Sequence, residues 1–585
     1  MKIESNLQQQ FRTQKFADNR QDKRYPLSGN KITQNLSQKS SNPNFTGWGD
    51  LFLRFLDTNQ AWGATFVDLG FMVLPRTITD FTRNTDAGME TMRREGTGNV
   101  NHAMIGLYGT AAGLLFATGI NHMYKFGKND VKASSIFADS ETINLHGQIY
   151  SEALNSAKNN PNANPLREYL VETLKNYEAL SPDDNAKWIK FNQESIDKAA
   201  GILETEIKSD GKKLSKDSFN QIRSLLVADS KVENNYRIVA KAGEKLHSSR
   251  YDISSIINNM FNLGKVFNKD TVIEAFKSAQ TSVKEAASNF EPKVDNAFVK
   301  ALKSMNLKRS LLGIGIASAI GVSAQPVNMY LTKLKTGKSG FVGGGEEDKS
   351  NSFKLKKLMV AALFGVGVLA TIGNPKNLLK NLQFKGLSPT INQFKFIYGV
   401  TIMSRFLAAR NDNELKEATF KDVLGFANWL LLGNFVQKLV AQSFDKSLIK
   451  RDGKGVLNWI KNSALKTRDE ILFANLGKKA FGKDGKALSY QQMVDLADKA
   501  TKSKLKYIKI AQLAGYLYSG LVLGIGIPKM NIYMTKRRME KQKAAQQNPA
   551  TDKVVTNPST DNMLKPENIK FLHSMNNFTG AELLK

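Results

Sequence analysis

The chain has 585 residues, no cysteine, and 83 Lys and Arg against 53 Asp and Glu, a formal net charge of +30. Without a thiol it can form no disulfide, hold no Cys-ligated zinc or iron–sulfur cluster and use no thiol nucleophile. The positive excess favours anionic partners such as lipid head groups or nucleic acid, although it is spread along the sequence and not gathered into one patch.

Residues 1–48 open MKIESNLQQQFRTQK, rich in Gln, Asn, Ser and Lys and without the apolar core of a secretory signal. They are expected to be disordered, with any membrane insertion starting at an internal helix. A mean hydropathy of −0.35 conceals four apolar blocks further on. The first lies in an N-terminal membrane-associated region, 49–128. Its residues 103–120, AMIGLYGTAAGLLFATGI, carry no charge and would make about 27 Å of helix, near the minimum for a hydrocarbon core. Gly109 and Gly113 stand four apart, a spacing that lets another helix approach closely in lipid.

Residues 129–307 read as a soluble helical domain. Asn164 and Pro165 open a helix whose apolar face is Leu166, Leu170, Leu174 and Tyr177, and helical spacing returns at Val272, Ile273 and Phe276 and at Phe298, Leu302 and Met305. No convincing run of alternating strands is visible. A central membrane region, 308–443, holds the uncharged, Gly-rich blocks 310–327 and 358–373. Three further stretches carry a charge: 61–75 with Asp68, 396–409 with Arg405 and 423–440 with Lys438. Each is expected to span, lie at an interface, re-enter or pack inside a soluble core. A basic helical region, 444–506, precedes a C-terminal membrane helix, 507–530, where Gly520 and Gly524 repeat the four-residue spacing. The tail, 531–585, reads as basic and then disordered. In fold class this is an all-α, multi-span helical membrane protein with four strong and up to three further apolar helices, a soluble helical domain and disordered termini. The seven lysines between Leu331 and Lys357 put that short loop, the N-terminal segment and the tail on one side and 129–307 on the other.

The pattern N-x-Y-x-T-K occurs at Asn328–Lys333 and at Asn531–Lys536, each time after a Gly-Ile-Gly-Ile run. The distance from that run to the following proline differs, so two independent helix ends are the simpler reading and a repeated packing element the alternative. Gly337-Lys338-Ser339 has Thr332 where a phosphate loop needs its first glycine, and reads as a linker. The Asp-Gly-Lys turns at 210, 452 and 484 lack a calcium-ligand pattern. His102, His122, His146, His247 and His573 show no metal spacing, and no catalytic motif is present, so neither a cofactor nor enzymatic activity is expected. Lys536, Arg537, Arg538, Lys541 and Lys543 follow an apolar helix without interleaved aromatics, which fits contact with anionic membrane lipid and argues against nucleic acid. The expected function is a non-catalytic membrane scaffold or interaction protein that contacts anionic lipid and, through 129–307, protein partners. The alternatives are a transporter or channel component, which needs ionisable groups inside its spans, and an amphitropic protein with a buried Gly-rich core.

Overall fold

The structure, a computed structural model, describes residues 46–547 apart from short internal stretches such as 181–187, 231–237, 279–295 and 429–434. The expected disorder of residues 1–45 and 548–585, the Asp-Gly-Lys turns and His573 lie outside the described residues. The class is all-α. Helix α1 (Thr46–Thr58) is followed by α2 (Gln60–Asp68), a π-turn at Leu69–Val73 and α3 (Leu74–Phe81). Then Asn84, whose side chain accepts from the Ala87 amide, caps the 39-residue α4 (Thr85–Met123). The 103–120 block is thus the apolar half of a longer helix.

The next segment carries α5 (Ser140–Asn159), α6 (Pro165–Lys175), α7 (Gln193–Lys208), α8 (Lys216–Ser230), α9 (Ile253–Phe267) and α10 (Asp270–Ser278). Asn164 caps α6 as its sequence predicts. The segment is not purely helical. Four short strands, β1 (Tyr177–Leu180), β2 (Trp188–Lys190), β3 (Ile238–Ala242) and β4 (Lys245–Tyr251), form an antiparallel sheet ordered β2-β1-β3-β4. They escape a search for alternation because β1 buries Tyr177, Glu178 and Ala179 in succession. The 307 boundary also moves, since α11 (Ala297–Thr336) runs through it without a break.

After α11 come α12 (Asn351–Ile372), α13 (Ile391–Ala408), α14 (Asp412–Phe426) and α15 (Phe435–Phe444). A two-stranded ladder, β5 (Ile449–Lys450) and β6 (Ala464–Leu465), leads to α16 (Arg468–Leu476) and α17 (Tyr490–Leu496), the latter started by the Ser489–Gln492 capping box. Finally α18 (Lys499–Tyr518), a π-helical segment at Ser519–Gly526 and α19 (Ile527–Gln547) form one continuous rod. The supposed tail is therefore helical as far as Gln547. Among the described residues four helical rods are long and apolar enough to cross a membrane: Thr85–Met123, Ala297–Thr336, Asn351–Ile372 and Lys499–Ala544.

One hydrophobic core joins residues from 131–305 to residues from 441–511, so the two polar insertions merge at one end of the helices. The opposite end carries the loop between α11 and α12 and the Lys- and Arg-rich α19. Asp50 pairs with Lys509, Arg54 with Asp469 and Asp57 with Arg468, so the described chain enters α1 at the domain end. That corrects the topology expected from charge for this part of the chain, because α2 and α3 then run lengthwise to the basic end.

A buried ionic centre between two equivalent halves

Two sets of three helical runs repeat the same path. In the first half, α2–α3 descends to the basic end, α4 returns to the domain end and α11 descends again. In the second, α13 descends, α14 with α15 returns, and α18–α19 descends. Each half carries its insertion between the second and third runs.

The corresponding residues bond to one another across the seam. Arg83 and Arg410 both lie two residues past their first helix, and Asn84 and Asn411 both cap the second, each accepting from the amide three residues on. Arg83 pairs with Glu417 of the other half at 3.0 Å, while Arg410 pairs with Glu90 of the first at 2.8 Å. The helix ends noted in the sequence dock alike. Asn328 donates to the Glu90 carbonyl at 2.8 Å and Asn531 to the Glu417 carbonyl at 2.9 Å, while Thr332 and Thr535 bond Arg93 and Glu417. Tyr330 and Tyr533 are both 62% exposed, as expected of matching positions. The two N-x-Y-x-T-K segments are therefore equivalent packing elements, and the independent-helix reading gives way.

Deeper in the seam lies a cluster of charges. Arg405 reaches Glu95 at 3.3 Å and Asp422 at 3.2 Å, Arg94 reaches Glu95 at 3.3 Å, and Lys421 stands 3.8 Å from Glu95. Arg76 donates Nε to the Leu523 carbonyl at 3.3 Å. Arg94 with Lys421 and Glu95 with Asp422 are matched pairs at the spacing of the caps, whereas Arg76 and Arg405 come from corresponding helices two residues out of register, Met403 standing where Arg76 would repeat. The Arg405 guanidinium lies over Gly98 and that of Arg76 over Gly425, and the two glycines occupy equivalent positions. Asp68, bonded by Asn99 at 3.1 Å, and Asp80, bonded by Thr91 at 2.5 Å, complete the cluster. The cations Arg76, Arg94, Arg405 and Lys421 balance the carboxylates Glu95, Asp422, Asp68 and Asp80, which makes such burial tolerable. His102 packs its edge against Phe394 and Tyr398.

Depth follows from hydrogen bonds to α11. Ser404, next to Arg405, donates to the Val322 carbonyl at 2.7 Å, and Asn101 donates to the Ala317 carbonyl at 2.8 Å. Along α11 the exposed side chains between Leu311 and Leu331, Leu311, Leu312, Ile316, Val322, Val327, Tyr330 and Leu331 among them, are uncharged, and exposed lysines follow from Lys333. The ionic centre thus lies inside the apolar belt of the bundle. At its basic end the loop between α11 and α12 closes the seam. Asn84 donates to Val342 O and Asn411 to Gly344 O and Glu346 O, and the Phe341 ring receives both Arg83 and Arg410 at 5.8 and 5.6 Å. A cleft of about 1020 Å³ lined by Asn84, Asp86, Lys335, Lys338, Phe341 and Lys349 among others opens outside that ring.

The glycines singled out in the sequence fall at helix contacts of unequal tightness. A Cβ at Gly109 would come 2.6 Å from Phe384, one at Gly313 would come 3.1 Å from the Gly109 backbone, and Gly113 is buried. A Cβ at Gly524 would meet the Phe71 carbonyl at 2.6 Å, whereas Gly520 has only the Phe71 ring at 3.3 Å. Lys536, Arg537, Lys541 and Lys543 are exposed on α19 and Arg538 is half-buried. Of the sequence candidates for charges within spans, Arg405 joins the centre and Asp68 lies at its edge; Glu95, Asp422, Arg76 and Lys421 were missed. The signal was the recurrence of Arg83-Asn84, Glu90, Arg94-Glu95, Gly98 and Asn101 as Arg410-Asn411, Glu417, Lys421-Asp422, Gly425 and Asn428 at one constant spacing. Among the described residues no group of His, Asp and Glu could hold a metal ion. No protein family, curated protein or solved structure matches the chain.

Proposed function

We propose that the chain is a multi-pass integral membrane protein of transporter type, whose two halves move a small inorganic ion or a proton past the ionic centre. The observation that carries this reading is the placement of matched charges from both halves at the depth of the exposed apolar belt. Ionisable groups are costly there and characteristically mark ion pathways. Parallel repeats with their site at the repeat interface are a recurring transporter plan. The test is reconstitution of the full chain in liposomes on a solid-supported membrane, with concentration jumps of H⁺, Na⁺, K⁺ and Cl⁻. A current for one of these ions that disappears in Asp422→Asn is expected. Silence for all four from correctly folded, inserted protein would overturn the reading.

The non-catalytic scaffold remains as a second reading, favoured by the fusion of both insertions into one core and by the exposed basic face of α19. On either reading Lys536, Arg537, Arg538, Lys541 and Lys543 are proposed to contact anionic lipid, at about 1 kcal/mol for each charge near the surface. Changing all five to Gln should lower the anionic lipid that co-purifies with the chain. Unchanged retention would exclude that contact.

A further inference from the structure

Each half sends one arginine toward the carboxylates of the centre, yet only one of the two engages them. Arg405 holds both Glu95 and Asp422, one carboxylate from each half. Arg76, the arginine of the first half, is 1% exposed, and among the described residues it binds only a backbone carbonyl and its Nη2 has no hydrogen-bond partner. A buried guanidinium N–H without a partner forfeits its hydration with nothing in return. The carboxylates acting on Arg76 are Glu95, Asp422 and Asp68, the first two being those that Arg405 occupies. Two buried arginines, one from each half, thus compete for one pair of carboxylates, and the structure shows one outcome of that competition.

We propose that the centre is a two-position switch in which Arg76 replaces Arg405 on Glu95 and Asp422 as the two halves shift against each other. The second position resembles the first in that each arginine has a glycine of the opposite half beneath it. A Cβ at Gly425 would lie 2.9 Å from Arg76 Nη2, and one at Gly98 would lie 4.0 Å from Arg405 Nη2. That difference is what separates an arginine resting against its glycine from one drawn away to the carboxylates. Packed interfaces of this kind pass between discrete arrangements and do not deform continuously. Arg94 and Lys421 stay with Glu95 in both positions, so the exchange leaves the net charge of the centre unchanged. The strap over the seam is tied to both halves through Asn84 and Asn411, with Phe341 between Arg83 and Arg410, and has to follow the movement.

The proposal rests on the transporter reading for its purpose but not for its test. Cryo-electron microscopy of the full chain in nanodiscs would compare the parent with Gly425→Ala, Gly98→Ala and Arg405→Gln. In Gly425→Ala the new methyl group should push Arg76 off its rest, bringing its guanidinium within about 3.5 Å of Glu95 and Asp422 and releasing Leu523. Arg405→Gln should give the same result, and Gly98→Ala should keep the parent arrangement. If Arg405→Gln fails to fold, the glycine pair still decides. Arg76 remaining on Leu523 in folded Gly425→Ala would overturn the switch. Exchange of the arginines without ion current would sink the transporter reading alone, whereas ion current with a fixed Arg76 would sink the switch alone.

Discussion

The two halves share the residues that bond across the seam and differ in almost everything that faces away from it. In the first half α11 passes Pro326 as one α-helix, while in the second the rod is interrupted by the π-helical Ser519–Gly526. Arg93 braces Asn328 and Thr332 at 2.7 and 2.9 Å, but Phe420 stands at the matching position, and Thr535 bonds the Glu417 carboxylate instead. Among the described residues the first insertion builds a four-stranded sheet and the second a two-stranded ladder. What has to be reciprocal is the set of charges, caps and glycines at the seam. Insertions need only bury their own apolar surface, and they do so together.

The sharpest break of this equivalence is expected at the tight glycines. Gly109→Leu forces side-chain volume into the Phe384 ring beside the Gly313 crossing, and overpacking of that kind costs roughly 3 kcal/mol. Gly520→Leu meets only the Phe71 ring edge, which can give way. Thermal unfolding in detergent, followed by loss of the monodisperse size-exclusion peak, should rank Gly109→Leu well below Gly520→Leu. Equal losses would show that the halves are packed with the same tightness after all.

A smaller effect tests the equivalence itself. Asn328→Ala and Asn531→Ala each remove a buried side-chain hydrogen bond to a helix carbonyl of the neighbouring run, worth about 1 kcal/mol net. The Asn328 change also strips Arg93 of one partner, so it should be the more damaging by a modest margin. Urea titration of the two variants in the same detergent should find both destabilised. A silent Asn531→Ala would confine the equivalence to sequence.

How much of this was legible beforehand depends on which residues carry the information. The four apolar blocks, the cap at Asn164 and the capping box at Ser489 are local and could be read directly. The repeat was half seen, because aligning the two Gly-Ile-Gly-Ile runs puts the halves out of register. The glycines that correspond are Gly321, against Thr401, and Gly524, against Phe71 and Pro75, each seven residues before its asparagine. The ionic centre was hidden for a different reason. Glu90, Arg94 and Glu95 precede the uncharged part of α4, so a hydropathy window stops short of them, and only the docking of α11 shows that they lie within its apolar belt. Short strands such as Trp188–Lys190 hold too few residues for a period to emerge.

The smallest expected effect concerns the first insertion, whose α7–α8 connection is held by one carboxylate. Glu206 accepts from Ser215 Oγ at 2.6 Å and from Ser218 Oγ at 2.5 Å, and these bonds hold its pKa below the ordinary 4.5. A depressed carboxylate contributes stability above its unfolded pKa and loses it as pH falls through the lower folded value, so the window opens below about pH 4.5. Glu206 is largely exposed and solvent screens the effect, leaving a shift in melting temperature of about a degree. Calorimetry between pH 5 and pH 3 should show the parent losing slightly more stability than the Ser215→Ala, Ser218→Ala double variant, whose Glu206 no longer has those partners. Parallel pH profiles for the two would mean that the turn holds without the carboxylate, and that this insertion, like the shorter one of the second half, rests on its apolar core alone.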